Sequence, residues 1–201
     1  MPVIWTPPTG VQSRTGHWIG AGWDLVKQDM GTYFLLAFVF TFLNTLVPVI
    51  LTGPLIVGFH IFTMKKILGR RAEFADLFKG FNFFIPALVA SLIITVFTFF
   101  GTLACIIPGL VVAAMYKFTY LFILDKKMDF WPAMQASHAI VKQDYFGFTM
   151  FLIAAALVCV LGFICCLIGV FIAIPVTFAA ITVAYQEIVG FDERTAATLD
   201  S

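Results

Sequence analysis

The sequence predicts an all-α integral membrane protein, with six transmembrane helices arranged as three proline-turn hairpins. The first observation is composition: 61% of the 201 residues are hydrophobic and 11% are charged, whereas a soluble domain is about 45–50% apolar and about 25% charged. The second is a series of apolar runs near the length of about 20 residues that a helix needs to cross a bilayer. These runs predict spans at residues 31–51, 53–69, 84–104, 106–125, 146–166 and 169–189.

The third observation is that nearly every charged residue lies in alternate connections. The predicted turns near residues 52, 105 and 167 contain no charged residue. If the odd-numbered helices run outward, all twelve Lys and Arg residues lie toward one face, which the positive-inside rule makes the cytoplasmic face. Both termini are therefore expected in the cytoplasm, with the first helix serving as an uncleaved signal. The predicted organisation is an N-terminal segment with an interfacial helix (1–30), a six-helix membrane domain (31–190) and a tail (191–201).

A recurring local pattern precedes the predicted hairpins. The tetrapeptide VKQD stands at 26–29 and again at 141–144, each time before a long apolar run. Before each hairpin, apolar residues recur on one helical face, which is typical of a short amphipathic helix lying in the headgroup layer. The three sets are Ile19, Trp23, Val26 and Met30; Phe74, Leu77, Phe78 and Phe81; and Trp131, Met134, His138 and Val141.

Each hairpin is also expected to turn at a proline. Pro54, Pro108 and Pro175 are the candidates, because proline is tolerated in the first turn of a returning helix, where its missing N–H would have no partner. Each predicted unit consists of an interfacial helix, an outward helix, a proline turn and a returning helix. Because the unit occurs three times, the sequence predicts an internal repeat.

The first hairpin is shorter than the third. Asp29 and Pro54 are 25 positions apart, whereas Asp144 and Pro175 are 31 apart. The shortfall leaves three alternatives: Lys65 and Lys66 snorkel and extend the second helix, the hairpin only dips into the bilayer, or it is one long crossing.

Several motifs resemble a bacterial family of poorly characterised six-span membrane proteins. They are GPLIVGFHIF, FADLFKGF, IPGLVVAAMYKF, the spacing of Ala133, Ser137 and Val141, and the closing Ile174–Pro175 with Ala184–Tyr185. That family is related to the membrane region of some bacterial glycerophosphodiester phosphodiesterases. The resemblance covers about residues 20–190 and implies a membrane module in the bacterial inner membrane. It transfers no catalytic residue, because in those enzymes the chemistry belongs to a separate soluble barrel.

A candidate polar site lies inside the predicted spans. His60 is the only imidazole within a span, and intramembrane ionisable groups are functional candidates, although a histidine hydrogen-bonded to a neighbouring helix also serves packing. Lys117, beside Tyr116, lies about 13.5 Å past Pro108 at 1.5 Å per residue, near the middle of a hydrocarbon core of about 30 Å. Lys117 is expected either to snorkel or pair structurally, or to contact a substrate or lipid headgroup.

The segment MKKILGRR contains the strongest basic cluster: Lys65, Lys66, Arg70 and Arg71. These four cations are candidate contacts for anionic lipid headgroups, although the positive-inside rule alone accounts for them. Cys105, Cys165 and Cys166 lie near the outer turns, where a bridge from Cys105 to one of the other two is an alternative to apolar packing.

The sequence contains no recognisable enzyme motif, metal-ligand spacing or cofactor motif. The leading expectation is a non-enzymatic membrane module that packs against lipids, a membrane-protein partner or a second copy of itself, with no role for nucleic acid. The alternative is a carrier or flippase for a lipid-like or apolar substrate. An internal polar cavity around His60 and Lys117 would favour the alternative.

Overall fold

The computed structural model describes residues 6–104, 106–164 and 167–198. About 80% of the protein is helical, and the described residues contain no strand. The predicted all-α class is therefore confirmed. The helices are α1 (Thr15–Gln28), α2 (Met30–Leu46), α3 (Thr52–Ile67), α4 (Asp76–Lys79), α5 (Phe84–Ala104), α6 (Ile106–Met115), α7 (Thr119–Asp125), α8 (Phe130–Val141), α9 (Tyr145–Ile164), α10 (Leu167–Ile188) and α11 (Glu193–Thr198), with a 3-10 turn at Gly80–Phe83.

Within the described part of the chain, four stretches are long and apolar enough to cross a membrane: Asp76–Leu103, Pro108–Asp125, Tyr145–Ile164 and Gly169–Ile188. They correspond to the last four predicted spans. Only 17% of the first and third stretches is buried, against 56% of the second and fourth. The outer helices α5 and α9 therefore present the large apolar surfaces that suit a lipid environment.

Two full spans are not confirmed for the first predicted hairpin. The helices α2 and α3 have 17 and 16 residues, fewer than the roughly 20 needed to cross the hydrocarbon core. One further span is reached only by joining α1 and α2, which are bent by 103° at their junction. By length and composition, residues 6–104, 106–164 and 167–198 contain four candidate spans, or five if the bent pair counts as one. Six spans are not confirmed.

The short helix α3 is enclosed by protein along most of its length. Its residues from Gly53 to Lys65 are buried, apart from the half-buried Ile56, and its neighbours include α2, α4, α5, α7 and α10. Gly58 allows this enclosure, because a side chain there would collide with the backbone of Leu77 on α4. A helix surrounded by protein need not match the bilayer thickness, since its length is set by its neighbours.

The helix α1 packs along α10 through a face different from the predicted one. Its buried residues are Trp18, Gly22 and Val26, whereas Trp23 is 40% exposed. A Cβ on Gly22 would lie 2.7 Å from the backbone nitrogen of Ala180 on α10. The predicted apolar face, with Trp23 and Met30 on the protein surface, was expected to face the headgroup layer and stays a prediction. The packed face is a second one, which a pattern of large apolar residues cannot detect because it is built around a glycine contact.

The second and third predicted interfacial helices bury some of their apolar residues against the protein and expose others. The second set falls on the single turn of α4 and the 3-10 turn, where Leu77 is buried but Phe78 is 45% exposed. On α8 the buried stripe contains Ala133, Ser137 and Val141, while Trp131 is 50% exposed. The residues of the motif spacing therefore form the packed face of α8.

The two copies of VKQD have the same local role. Val26 and Val141 are buried, and each aspartate accepts a hydrogen bond from a backbone N–H at the start of the following helix. Asp29 Oδ1 accepts from the nitrogen of Thr32 at 3.4 Å, and Asp144 Oδ1 accepts from the nitrogen of Gly147 at 2.9 Å. Both aspartates thus satisfy backbone donors that have no partner within their helix.

Two of the three prolines begin a helix. Pro54 and Pro108 lie in the first turns of α3 and α6. Pro175 lies inside α10, so the expectation of a proline turn is wrong for the third hairpin. The described residues do not include Cys105, Cys165 or Cys166, and the turns predicted near residues 105 and 167 lie at or beyond their edges. The disulfide therefore stays a prediction.

Candidate functional site

A cavity of about 210 Å³ lies between α3, α5, α10 and the junction of α6 with α7. It contains all three residues of the predicted intramembrane polar site. The cavity is lined by Ile56, His60, Ile94, Ala113, Tyr116, Lys117, Tyr120, Phe178 and Ile181. Drug-sized ligands occupy pockets of about 300–1,000 Å³, so the cavity suits a small polar group.

Lys117 enters the cavity from a break in the helical chain. The helix α6 ends at Met115 and α7 begins at Thr119. Tyr116, Lys117 and Phe118 form a turn between them, in which the nitrogen of Lys117 donates to the carbonyl oxygen of Ala114 and that of Thr119 to the carbonyl oxygen of Tyr116, both at 3.2 Å. Broken helices line polar sites in many membrane proteins, because the free backbone groups and the altered direction expose side chains to a cavity.

The hydroxyl of Ser137 on α8 stabilises this break. It donates a hydrogen bond to the carbonyl oxygen of Met115 at 2.6 Å and accepts one from the backbone nitrogen of Phe118 at 3.2 Å. Ser137 is fully buried, so neither backbone group can be satisfied by bulk water at that position. The short helix α8 thereby fixes the turn that carries Lys117.

His60 is buried, with 1% of its surface exposed. Its Nδ1 lies 2.8 Å from the hydroxyl of Thr182 on α10, and that hydroxyl donates its one proton to the carbonyl oxygen of Phe178 at 2.8 Å. With the hydroxyl proton on the carbonyl of Phe178, the hydrogen-bond network assigns the imidazole proton to Nδ1, which donates to Thr182. Nε2 is left as the ring nitrogen that His60 can offer to a group in the cavity.

Lys117 has no counter-ion among the described residues, in which no carboxylate lies within 4.0 Å of its ammonium group. Asp125, the nearest acidic residue along the chain, is committed elsewhere. It accepts hydrogen bonds from the Tyr185 hydroxyl at 3.0 Å and from the backbone nitrogen of Asp192 at 2.8 Å, and it pairs with Lys126 at 3.1 Å. Lys117 is half-buried, and a partly desolvated ammonium favours an anion in the same cavity.

The walls of the cavity are mostly apolar. Ile56, Ile94, Phe178 and Ile181 line it together with the two tyrosines, and the Phe178 ring meets the His60 ring edge-on at 5.4 Å between centroids. Apolar walls with a few polar groups are typical of small-molecule sites. The arrangement can position one ligand against one cation and one imidazole.

The predicted basic cluster lies elsewhere and is largely paired with carboxylates. Lys65 is buried and lies 2.9 Å from Asp76, Lys66 lies 2.6 Å from Asp29, and Arg71 lies 3.2 Å from Glu73 on the surface. Arg70 is half-buried. Lys65 and Lys66 therefore bind acidic side chains of this protein rather than snorkelling to extend α3.

The environment of Asp29 follows from this pairing. Partial burial raises the pKa of its carboxyl group, but hydrogen bonds from Lys66 and Thr32 and the positive charge of Lys66 outweigh burial and lower the pKa below its ordinary value. Asp29 is consequently ionised at neutral pH and holds the end of α3 against the start of α2.

Sequence reasoning missed two residues of the site. Thr182, which orients His60, lies in an apolar run without a motif, and its role depends on the placement of α10 beside α3. Ser137 was part of the motif spacing on which the family resemblance rested, but its hydrogen bonds to the chain break had no sequence signal. In the described part of the chain, no three His, Cys, Asp or Glu residues cluster as a metal site would require.

Three curated proteins are similar to this chain in sequence, and all three are described as uncharacterised. One is from Mycobacterium bovis and two are from strains of Mycobacterium tuberculosis; each is 28% identical over 122 residues, which is 61% of this chain and 37% of the relative. The chain therefore spans little more than a third of the length of these relatives. No protein-family model matches the chain, and no solved structure matches it.

Proposed function

We propose that this chain is a non-enzymatic integral membrane protein that binds a lipid-like molecule in the cavity formed by α3, α5, α6–α7 and α10. The observation that carries the proposal is the convergence of His60, Tyr116 and Lys117 on one cavity with apolar walls. A lipid-like molecule combines a polar group for the cavity with apolar chains for the exposed faces of the helices.

The cost of the lysine supports ligand binding over packing alone. A charged residue near the centre of a transmembrane helix costs at least about 2.5 kcal/mol on insertion scales. A module that only packs helices would gain stability from an apolar residue at position 117. A bound anion would offset the cost, which gives the lysine a physical reason to be there.

A carrier or flippase is the second candidate, and the broken helix favours it. Substrate sites of many transporters lie beside discontinuous helices near the middle of the membrane. The turn at Tyr116–Phe118 borders the cavity and keeps two backbone hydrogen bonds of its own, from Lys117 to Ala114 and from Thr119 to Tyr116. The hydroxyl of Ser137 on α8 supplies two more. A turn of this kind can change conformation with little loss of helical hydrogen bonding.

Lipid co-purification from mild detergent tests the binding proposal. The variant Ala113→Phe places a ring in the cavity and is expected to lose most of the co-purified lipid. The matched control is Ala156→Phe on the exposed face of α9, which is expected to retain it. If both variants fold and retain lipid as the unaltered protein does, the cavity is not the binding site.

A reconstituted-liposome assay separates the carrier from the static binding module. A carrier is expected to move a fluorescent lipid between leaflets, and Ala113→Phe is expected to abolish that movement while Ala156→Phe does not. Lipid binding without movement would leave the static module as the function.

The proposal also includes the location of the protein in the cell and its relationship to a known family. The charge pattern supports a location in a bacterial inner membrane with both termini in the cytoplasm. The shared role of the two VKQD segments supports an internal repeat. The motif resemblance supports kinship with the membrane region of glycerophosphodiester phosphodiesterases. Membrane lipids are the proposed partners, and the exposed faces of α5 and α9 suit a membrane-protein partner or a second copy.

A further inference from the structure

The direction of the hydrogen bond at His60 restricts what the cavity can bind. Because the Thr182 hydroxyl uses its proton on the carbonyl of Phe178, the Nδ1 of His60 is the donor in the 2.8 Å contact with Thr182. A neutral imidazole with its proton on Nδ1 has an unprotonated Nε2, which accepts hydrogen bonds and donates none. A ligand group that meets Nε2 must therefore carry a hydrogen-bond donor.

The imidazole is neutral in this arrangement for an electrostatic reason. Lys117 lines the same cavity of about 210 Å³, and a buried imidazolium there would place two positive charges together in a weakly polarisable space. The cavity thus combines one fixed cation with one fixed acceptor.

The two requirements together define a class of ligand. We propose that the lipid-like molecule bound in this cavity carries an anionic phosphate ester with a hydroxyl group beside it. The phosphate contacts the Lys117 ammonium, and the hydroxyl donates to Nε2 of His60. This inference rests on the proposed function, because it assigns a headgroup to the same cavity.

The size of the cavity agrees with a headgroup and excludes a whole lipid. Its volume lies below the range of about 300–1,000 Å³ that encloses drug-sized molecules, and a diacyl lipid is larger than such a molecule. The acyl chains would lie outside, along the apolar helix faces. A soluble phosphate ester would satisfy the same two polar groups, so the test must separate the two sources.

The first measurement compares lipids that differ in one feature. Dioctanoyl-phosphatidylglycerol and dioctanoyl-phosphatidylmethanol carry the same charge, but only the first has headgroup hydroxyls; dioctanoyl-phosphatidylcholine carries no net charge. The detergent-purified protein is expected to bind phosphatidylglycerol most tightly and phosphatidylcholine most weakly. Phosphatidylmethanol is expected to bind roughly five- to tenfold more weakly than phosphatidylglycerol, because one hydrogen bond is lost. Glycerol 1-phosphate serves as the soluble probe and is expected to bind far more weakly than phosphatidylglycerol.

The second measurement uses Thr182→Val, a substitution of nearly equal shape. Without the threonine oxygen, Nδ1 has no acceptor at that position, and the proton is free to move to Nε2, which then donates. The preference for phosphatidylglycerol over phosphatidylmethanol is expected to disappear while the preference for anionic lipids remains. Lys117→Met is expected to do the opposite and abolish the preference for anionic lipids. A residue with only a packing role would change neither ratio.

The outcomes separate this inference from the proposed function. Equal binding of phosphatidylglycerol and phosphatidylmethanol, with lipid still displaced by Ala113→Phe, would overturn the hydroxyl contact and leave the lipid site intact. Equal binding of phosphatidylcholine would overturn the role of Lys117. Failure of every lipid to bind a folded protein would overturn the proposed function itself. Binding of glycerol 1-phosphate as tight as that of phosphatidylglycerol would support the two polar contacts and assign the ligand to solution.

Discussion

The buried hydroxyl of Ser137 lies 3.2 Å from the backbone nitrogen of Phe118, at the point where the helical chain of α6 and α7 is broken. The same hydroxyl donates to the carbonyl oxygen of Met115 on the other side of the break, at 2.6 Å. One side chain of α8 thereby replaces hydrogen bonds that a continuous helix would make. It also fixes the position of Lys117, which lies between the two ends.

Ser137→Ala should destabilise the protein by roughly 1–3 kcal/mol, because two buried backbone groups lose their partner. Thermal unfolding in detergent measures the loss. The matched control is Ser91→Ala, another buried serine, whose shorter hydrogen bond, at 2.8 Å, is to the carbonyl of Leu88 in its own helix. The control should lose less stability. Equal losses would show that the hydroxyl of Ser137 has no special role at the break.

Gly22→Ala should weaken the packing of α1 on α10. The new Cβ would lie 2.7 Å from the nitrogen of Ala180 and 2.8 Å from the carbonyl oxygen of Val176, and these backbone atoms cannot rotate away. We expect a loss of about 1–3 kcal/mol, as for other overpacked sites.

Gly20→Ala is the control for that substitution. It lies in the same helix with no heavy atom within 4 Å of the added carbon, so alanine should stabilise α1 by roughly 0.5–1 kcal/mol. Opposite signs for the two variants are expected in thermal unfolding. A stabilised Gly22→Ala protein would mean that α1 does not contact α10 in the membrane.

Asp29→Asn should reduce the free energy of unfolding at neutral pH by about 1 kcal/mol, which is the upper part of the range for an accessible ion pair. The asparagine can still cap α2, but it cannot form the ion pair with Lys66. The sign of the pH dependence follows from the lowered pKa of Asp29. An aspartate with a lowered pKa stabilises the folded state above its unfolded pKa of 3.8, and this contribution is lost as the pH falls through the folded value. The stability difference between the two proteins should therefore shrink below about pH 3.8. Asp24→Asn, at an exposed pair with Lys27, should show a smaller difference at neutral pH.

Cysteine labelling should decide the topology of the first hairpin. In a protein whose native cysteines are replaced, Val49→Cys in the turn between α2 and α3 should react with a membrane-impermeant maleimide in intact cells, if the hairpin reaches the outer face. Lys127→Cys, exposed in the connection before α8, should react only after permeabilisation. Val49→Cys that also requires permeabilisation would mean that α2 and α3 stay on the cytoplasmic side. Cytoplasmic reporters fused after residues 30 and 195 should be active in either case.

The sequence by itself determined the class of protein and the position of the longer helices. Composition and run length require no tertiary information, because a helix that crosses a bilayer must satisfy its own backbone and present apolar side chains to lipid. The four stretches from Asp76 to Ile188 were found on these grounds. His60, Tyr116 and Lys117 were identified because a polar side chain is conspicuous in an apolar run.

Only the tertiary structure decided which of these residues line the same cavity and how the helices of the first hairpin are packed. The prediction of α3 as an ordinary span is not confirmed, and its apolar run does not reveal that protein surrounds it on nearly every side, with Gly58 packed against Leu77. The buried face of α1 depends on Gly22, which carries no hydrophobic signal. The orientation of His60 depends on Thr182, which is 122 positions away along the chain. Periodicity reports how a helix partitions between apolar and polar surroundings, whereas close backbone contacts and hydrogen bonds between distant segments arise only when the helices are packed together.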